Sequence, residues 1–354
     1  MKKINLIIFP LLLGLSACAL FTDNEEPDIY FPYYDFEILK LGKSISDMVI
    51  SPNGEFLYLA DYSNNKIVQI NTSSNMSVSN DIVVGSHPTA LSLSPNGQTL
   101  GIALEGESNI VFMSLNDFSI IANYSISLMN VNDLSFIDSN TIIISSKTDP
   151  SCITLKMDTG IEKSESILNG EFAVNMDSSI IYVATHSSIK KYVKSGNNYI
   201  QSSTISDAYG FSATINHFVF NASSNSLFLC ASNEDEESTV KHVYSYNGDN
   251  LTFAGKFLIK SPGLGVSVTQ NGEKVFIAPM DADPMGIFVV EFDAETKLEE
   301  NYYLSAGNLT RRGILLSPDE KSFYVLVDTP GDNDSFEPYN SNSFDLQRIN
   351  IIEN

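Results

Sequence analysis

The chain has 354 residues and a formal net charge of −23 at pH 7, with 43 acidic residues against 20 basic ones. Such a surface repels phosphate backbones and anionic headgroups, which excludes nucleic acid as a partner and favours cations or basic protein surfaces, although acidity also serves plain solubility. Three cysteines are too few for a disulfide framework, and abundant Ser, Asn, Ile, Val, Phe and Tyr favour strands joined by polar turns.

The first element is not part of the fold. Lys2 and Lys3 precede an uncharged apolar run from Ile4 to Leu15, which is shorter than the roughly 20 residues a membrane-spanning helix needs and reads as a secretory signal. Leu15-Ser16-Ala17-Cys18 resembles the lipobox of bacterial lipoproteins. That resemblance implies cleavage before Cys18 and lipid attachment to its sulfur and amine. Ala19 stands where an aspartate would signal inner-membrane retention, so the implied destination is the outer membrane, on its periplasmic face or at the cell surface. The acidic stretch Asp23 to Asp28 resembles the surface-export signals of some bacteria and equally suits a solvated tether.

From residue 34 onward the chain repeats itself. Residues 48–61 read MVISPNGEFLYLAD, residues 91–104 read LSLSPNGQTLGIAL and residues 314–327 read ILLSPDEKSFYVLV. Each joins two strands of alternating apolar character through one tight turn, and weaker copies occupy 134–145, 172–184, 218–231 and 266–279. The residue before each turn serves as an anchor: Ser51, Ser94, Ile137, Asn175, Asn221, Thr269 and Ser317, spaced by 43, 43, 38, 46, 48 and 48 residues. A period of that length with strand content predicts a β-propeller, and seven anchors predict seven blades.

Third strands are expected at Lys66–Asn71, Asn109–Leu115, Cys152–Asp158, Ile189–Lys194, Val240–Tyr246, Gly286–Asp293 and Asp345–Ile351. The last of these ends three residues before the end of the sequence, which leaves blade seven without its outer strand, whereas the alternating segment Tyr34–Leu41 belongs to no other blade. It is expected to complete blade seven, pairing the two ends of the chain and removing an exposed edge. The organisation is therefore a signal peptide over 1–17, a lipid-anchored acidic tether over 18–33, and one all-β, seven-bladed propeller over 34–354. Cys152 and Cys230 fall in different blades and are expected to be buried thiols.

The units resemble the YVTN-type β-propeller repeat family. Blade one carries its pattern as Ser51-Pro52-Asn53-Gly54, Leu57-Tyr58-Leu59-Ala60 and Ile67-Val68-Gln69-Ile70-Asn71, and blade two adds the family's entry as Gly85-Ser86-His87-Pro88. The resemblance implies the fold. It leaves function open among surface proteins, binding proteins and lactonase-like enzymes.

Local motifs for catalysis are absent. His87, His186, His217 and His242 form no His-Glu-x-x-His, and no Cys-x-x-Cys is present. The fold itself supplies one constellation, because the beginnings of the inner strands converge on one mouth of the central channel. Four residues before the anchors stand Asp47, Ala90, Asp133, Glu171, His217, Gly265 and Gly313, preceded by Ser46, Thr89, Asn132, Gly170, Asn216, Leu264 and Arg312, with Arg311 adjacent. Asp47, Asp133, Glu171, His217 and Arg312 thus define a candidate ligand site at the channel mouth, with chemistry suited to a divalent cation or a small polar molecule. A wet propeller channel carries similar residues without binding anything.

Crowding of the three acids should raise a carboxyl pKa unless Arg312 or a cation relieves it. Glu234 to Glu237 reads as a solvated turn, and Asp328 to Asn342 as a long binding loop or an insertion. Two functional readings result. One is a lipid-anchored, non-catalytic envelope module that binds a protein or a glycan; the other is a lactonase-like or other hydrolytic enzyme using the channel-mouth residues, with or without a metal.

Overall fold

The computed structural model describes residues 35–352 apart from 74, 176, 178, 207, 210–212, 234–241, 281–287 and 329–343. The segments read from the sequence as signal peptide and acidic tether, Cys18, Glu234 to Glu237 and nearly all of the 328–342 segment lie outside the described residues.

Seven antiparallel sheets of four strands make up the described chain. Each inner strand touches the inner strand of the next blade, and the first touches the last, so the ring is closed. The molecule is a seven-bladed β-propeller. The inner strands are Ile45–Ile50, Pro88–Leu93, Val131–Phe136, Glu171–Val174, Ala213–Asn221, Gly263–Val268 and Asn308–Leu316.

The second strands are near-continuous apolar runs because a neighbouring blade covers each of their faces. In Phe56–Asp61, for example, residues 57–61 are all buried. The core accordingly divides into seven clusters, one per blade interface. Leu100, Ile102 and Val111 of blade two pack on Tyr58, Ala60 and Ile67 of blade one, and Tyr324, Leu326 and Leu346 of blade seven pack on Leu57, Leu59 and Val68. Outer strands face solvent, and Ser77–Val83 is exposed along almost its whole length.

The anchor residues owe their identity to the turn. The side-chain oxygen of Ser51 accepts from the Phe56 amide at 2.9 Å, Ser94 from Thr99 at 2.9 Å, Thr269 from Lys274 at 2.9 Å, Ser317 from Ser322 at 3.1 Å and Asn175 from Ile180 at 2.9 Å. A short polar side chain here closes the hairpin without lengthening it. The turns also pack on each other around the ring. A Cβ on Gly97 would lie 2.7 Å from the Pro52 ring of the preceding blade, and one on Gly54 would lie 3.1 Å from Pro318 of blade seven.

Phe36–Lys43 pairs with Phe344–Asn350 as the outermost strand of blade seven, with Phe36 opposite Ile349 and Leu39 opposite Leu346. The closing strand read from the sequence as Tyr34–Leu41 thus runs two residues further. Asp345 sets its end, with Oδ1 accepting from the amides of Leu41 at 2.7 Å and Gly42 at 3.2 Å. Arg348 donates to Glu37 on the same strand. Cys152 and Cys230 are both buried, and burial pushes the Cys152 thiol up to about 12.

Candidate functional site

The inner strands carry a β-bulge just before the ring position. In blades one, two, three, five and six the register skips one residue, between Ile45 and Asp47, Pro88 and Ala90, Val131 and Asp133, Ile215 and His217, and Gly263 and Gly265. Bulges re-aim side chains at the rims of closed sheets. Blade four begins at Glu171 without one. Blade seven enlarges it: Leu309 faces Val327 and Ile314 faces Val325, leaving Thr310, Arg311, Arg312 and Gly313 opposite Leu326 alone. Arg312 takes a left-handed φ of 55° and Gly313 sits against Thr310, where a Cβ would meet Oγ1 at 2.0 Å.

That enlarged bulge projects two guanidinium groups across the channel mouth. Arg312 reaches Asp133 of blade three at 3.3 Å and pairs with Glu171 of blade four. Arg311 donates to Glu171 Oε1 at 2.8 Å and to the Asn216 carbonyl of blade five at 3.1 Å. Asn132 adds a third donor to Glu171 Oε1 at 3.1 Å. Glu171 is 4% exposed, so its charge is compensated within the protein, as a buried carboxylate requires.

The other ring residues act as clamps between blades. Asp47 Oδ2 accepts from the Leu91 amide of blade two at 2.8 Å, Asp133 Oδ2 from the Phe172 amide of blade four at 3.1 Å, and His217 Nδ1 from the Val266 amide of blade six at 3.1 Å. These are equivalent bonds at the first, third and fifth interfaces. At the second and sixth, Ser92 and Ser267 do the same work two residues later in the strand, accepting from Phe136 and Leu316 at 3.1 Å. Because Nδ1 of His217 accepts, its proton resides on Nε2.

Burial holds Asp47 up at about 6, with Arg312 and two backbone amides pulling it down and Asp133 adding to the rise. Burial pushes His217 down to about 4, helped by the nearby Arg311 charge. Of the five residues singled out from sequence, the structure therefore joins Asp133, Glu171 and Arg312 in one network, within electrostatic reach of Asp47. His217 is held against the next blade. No group of three or more metal-ligating side chains converges among the described residues.

Beside this network lies a cleft of about 870 Å³ that the sequence did not reveal. It runs radially over blade four, from Glu171 and Arg311 at the channel mouth to Thr204 and Ser206 on the outer strand. The Ser146–Pro150 loop of blade three forms one wall, and Ala213–Ile215 of blade five forms the other. Beside the cleft, only residues 169 and 170 separate the last strand of blade three from the first of blade four. The anchor spacing of 38 residues between Ile137 and Asn175, the shortest in the chain, is the signal that marks it. His186, Lys147 and Lys190 also line this cleft.

Comparison with known proteins supports the architecture. No protein-family profile matches the chain, and no curated protein is similar to it in sequence. Among solved structures, the β-propeller domain of Myceliophteria thermophila Cps50 (Swd1) is similar, with a TM-score of 0.71 and 11% identity over 90% of this chain and 100% of that one. Hydrazine synthase of Kuenenia stuttgartiensis aligns with a TM-score of 0.65 and 11% identity over 82% of this chain and 94% of that one. At such identity the likeness is one of fold.

Proposed function

We propose that the protein is a lipid-anchored propeller of the bacterial cell envelope that binds a glycan or a protein in the cleft over blade four. The observation that carries this reading is the pairing of a large cleft, lined by many polar residues, with a channel mouth whose charged groups already have partners. Asp133 and Glu171 are engaged by two arginines and by backbone amides, so the channel residues are spent on holding the ring, while the adjacent cleft stays open to solvent. Ligand sites are commonly concave regions of about 300–1,000 Å³, and rigid scaffolds commonly present them between loops. The lipobox-like Leu15-Ser16-Ala17-Cys18 and the YVTN-like repeats support an envelope setting.

A thermal melt of the purified chain against envelope glycans and peptides tests the binding role. A ligand at about 100 times its Kd raises stability by roughly 2.7 kcal/mol. The gain should vanish in Ser187→Trp, which fills the cleft from an exposed loop position. Ligand shifts untouched by that substitution would place binding elsewhere. Palmitate incorporation lost in Cys18→Ala tests the anchor.

A further inference from the structure

The cleft has a charge opposite in tendency to the molecule that carries it. In a chain of net charge −23, its lining holds the three cations Lys147, Lys190 and Arg311 against the two carboxylates of Asp149 and Glu171. Glu171 is compensated by Arg311 and Arg312, with Asn132 as a further donor, so Asp149, whose Oδ2 accepts from the neutral Ser146 hydroxyl at 3.0 Å, is the one carboxylate charge of the lining that no cation pairs among the described residues. The two lysines are less engaged, whereas Arg311 is already bound to Glu171 and to two carbonyls of blade five. Lys147 lies 3.7 Å from Glu105 with 54% of its side chain exposed, and 43% of the Arg311 side chain is exposed. Lys190 has no carboxylate within ion-pair distance among the described residues. Charges elsewhere on the acidic surface are screened beyond a Debye length of about 8 Å, so a ligand in the cleft responds to these local cations.

Polar residues are numerous in the remaining lining. Seven serine or threonine residues and two asparagines line the cleft, beside Pro150, Ala184, Ala213 and Ile215, and no Phe or Tyr contributes. Protein partners are generally gripped by buried aromatic or arginine anchors in apolar pockets, and this cleft offers no aromatic wall to seat one. Hydroxyls and amides both donate and accept, which matches the mixed donors and acceptors of sugar rings.

Resting on the reading that the cleft is the binding site, we infer that its ligand is an anionic saccharide, a short oligosaccharide bearing carboxylate or sulfate groups. Lys147 and Lys190 pair with the acidic groups, and the exposed hydroxyls of Ser187, Thr204 and Ser206 bond the ring hydroxyls. Arg311 is a positioning residue here, since its bonds to Glu171 and to two carbonyls of blade five fix the inner wall.

Calorimetric titration of the full chain with a uronic-acid trisaccharide, a sulfated disaccharide and a neutral trisaccharide tests this directly, with wild type, Lys147→Gln/Lys190→Gln and Ser187→Trp compared. The expected result is binding of at least one acidic sugar, tenfold or more weaker in the double variant, abolished in Ser187→Trp, and weakened severalfold between 50 and 200 mM salt. Preference between the first two probes distinguishes carboxylate from sulfate. Equal binding of the neutral sugar, insensitive to the lysine substitutions but lost in Ser187→Trp, would overturn the anionic assignment while leaving the cleft as the site. Acidic-sugar binding unaffected by Ser187→Trp would overturn both. No binding by any of the three probes would overturn the saccharide assignment, and the peptide arm of the melt would then decide whether the cleft serves a protein.

Discussion

Arg312 of blade seven and Glu171 of blade four form an ion pair across the mouth of the channel, joining blades that do not adjoin in the ring. Asp133 and Arg311 extend it into a network of two acids and two bases spanning blades three, four, five and seven. Removing one member of a buried pair leaves a charge uncompensated, typically at a cost of about 3–5 kcal/mol. Since Arg311 remains beside Glu171, Arg312→Gln should cost about 2–3 kcal/mol in urea unfolding. Glu171→Gln/Arg312→Gln should cost less than the two single changes added together. Additive losses would show that the pair carries no coupling.

Asp47 and His217 oppose each other in acid. For Asp47 the folded value of about 6 lies above its ordinary 3.8, so the folded state binds more protons in that interval and stability rises as pH falls through it. For His217 the folded value of about 4 lies below 6.5, so stability falls over nearly the same interval. Each contribution is on the order of 2 kcal/mol once channel solvent is allowed for. Relative to wild type, Asp47→Asn should therefore lose stability on acidification from pH 6.5 to 4, and His217→Asn should gain it. Parallel pH profiles for the three proteins would refute the assignment.

Two glycines with similar backbone angles separate packing from conformation. Gly97 has φ of 67° and Gly196 has φ of 62°, but a Cβ on Gly97 would strike Pro52 whereas one on Gly196 meets nothing within 4 Å. Gly196→Ala should cost about 1 kcal/mol for the left-handed backbone alone. Gly97→Ala should cost about 1 kcal/mol or more beyond that, because the adjoining turn must move. The comparison is read from the two midpoints in denaturant.

Asp345→Ala should loosen the closing strand selectively. It leaves the Leu41 and Gly42 amides without their acceptor, a loss of roughly 1–2 kcal/mol, so amide exchange over residues 36–43 should quicken by about tenfold or more. Exchange in the second strands of blades three and four should stay unchanged; uniform acceleration would mean that the ring opens as one unit.

Most of the anchors were legible because the turn uses a short side-chain acceptor, as it does at five of the seven. Ser51, Ser94, Thr269 and Ser317 display this in the sequence, and counting four residues back reached Asp47, Asp133 and His217 in a shared register. Their partners were not legible. The Leu91, Phe172 and Val266 amides belong to the next blade, and a bond to another strand's backbone leaves no mark on residue type. The reach of Arg311 and Arg312 was hidden for a related reason, since the bulge that projects them inserts residues on one strand without disturbing the anchor that follows. The cleft over blade four carries no local motif, and the sequence marked its place only by one reduced interval between anchors.

The placement of Phe36–Lys43 beside Phe344–Asn350 has a consequence for the order in which the molecule is made. A strand near the start of the chain finds its partner only after some 310 further residues have emerged, as the pairing of Glu37 with Arg348 shows. During synthesis, six blades can assemble from contiguous segments while this first strand waits with an open edge. Blade seven is then completed last, and the slowest step in maturation should be the search of one strand for the other, with pairing at so great a separation along the chain.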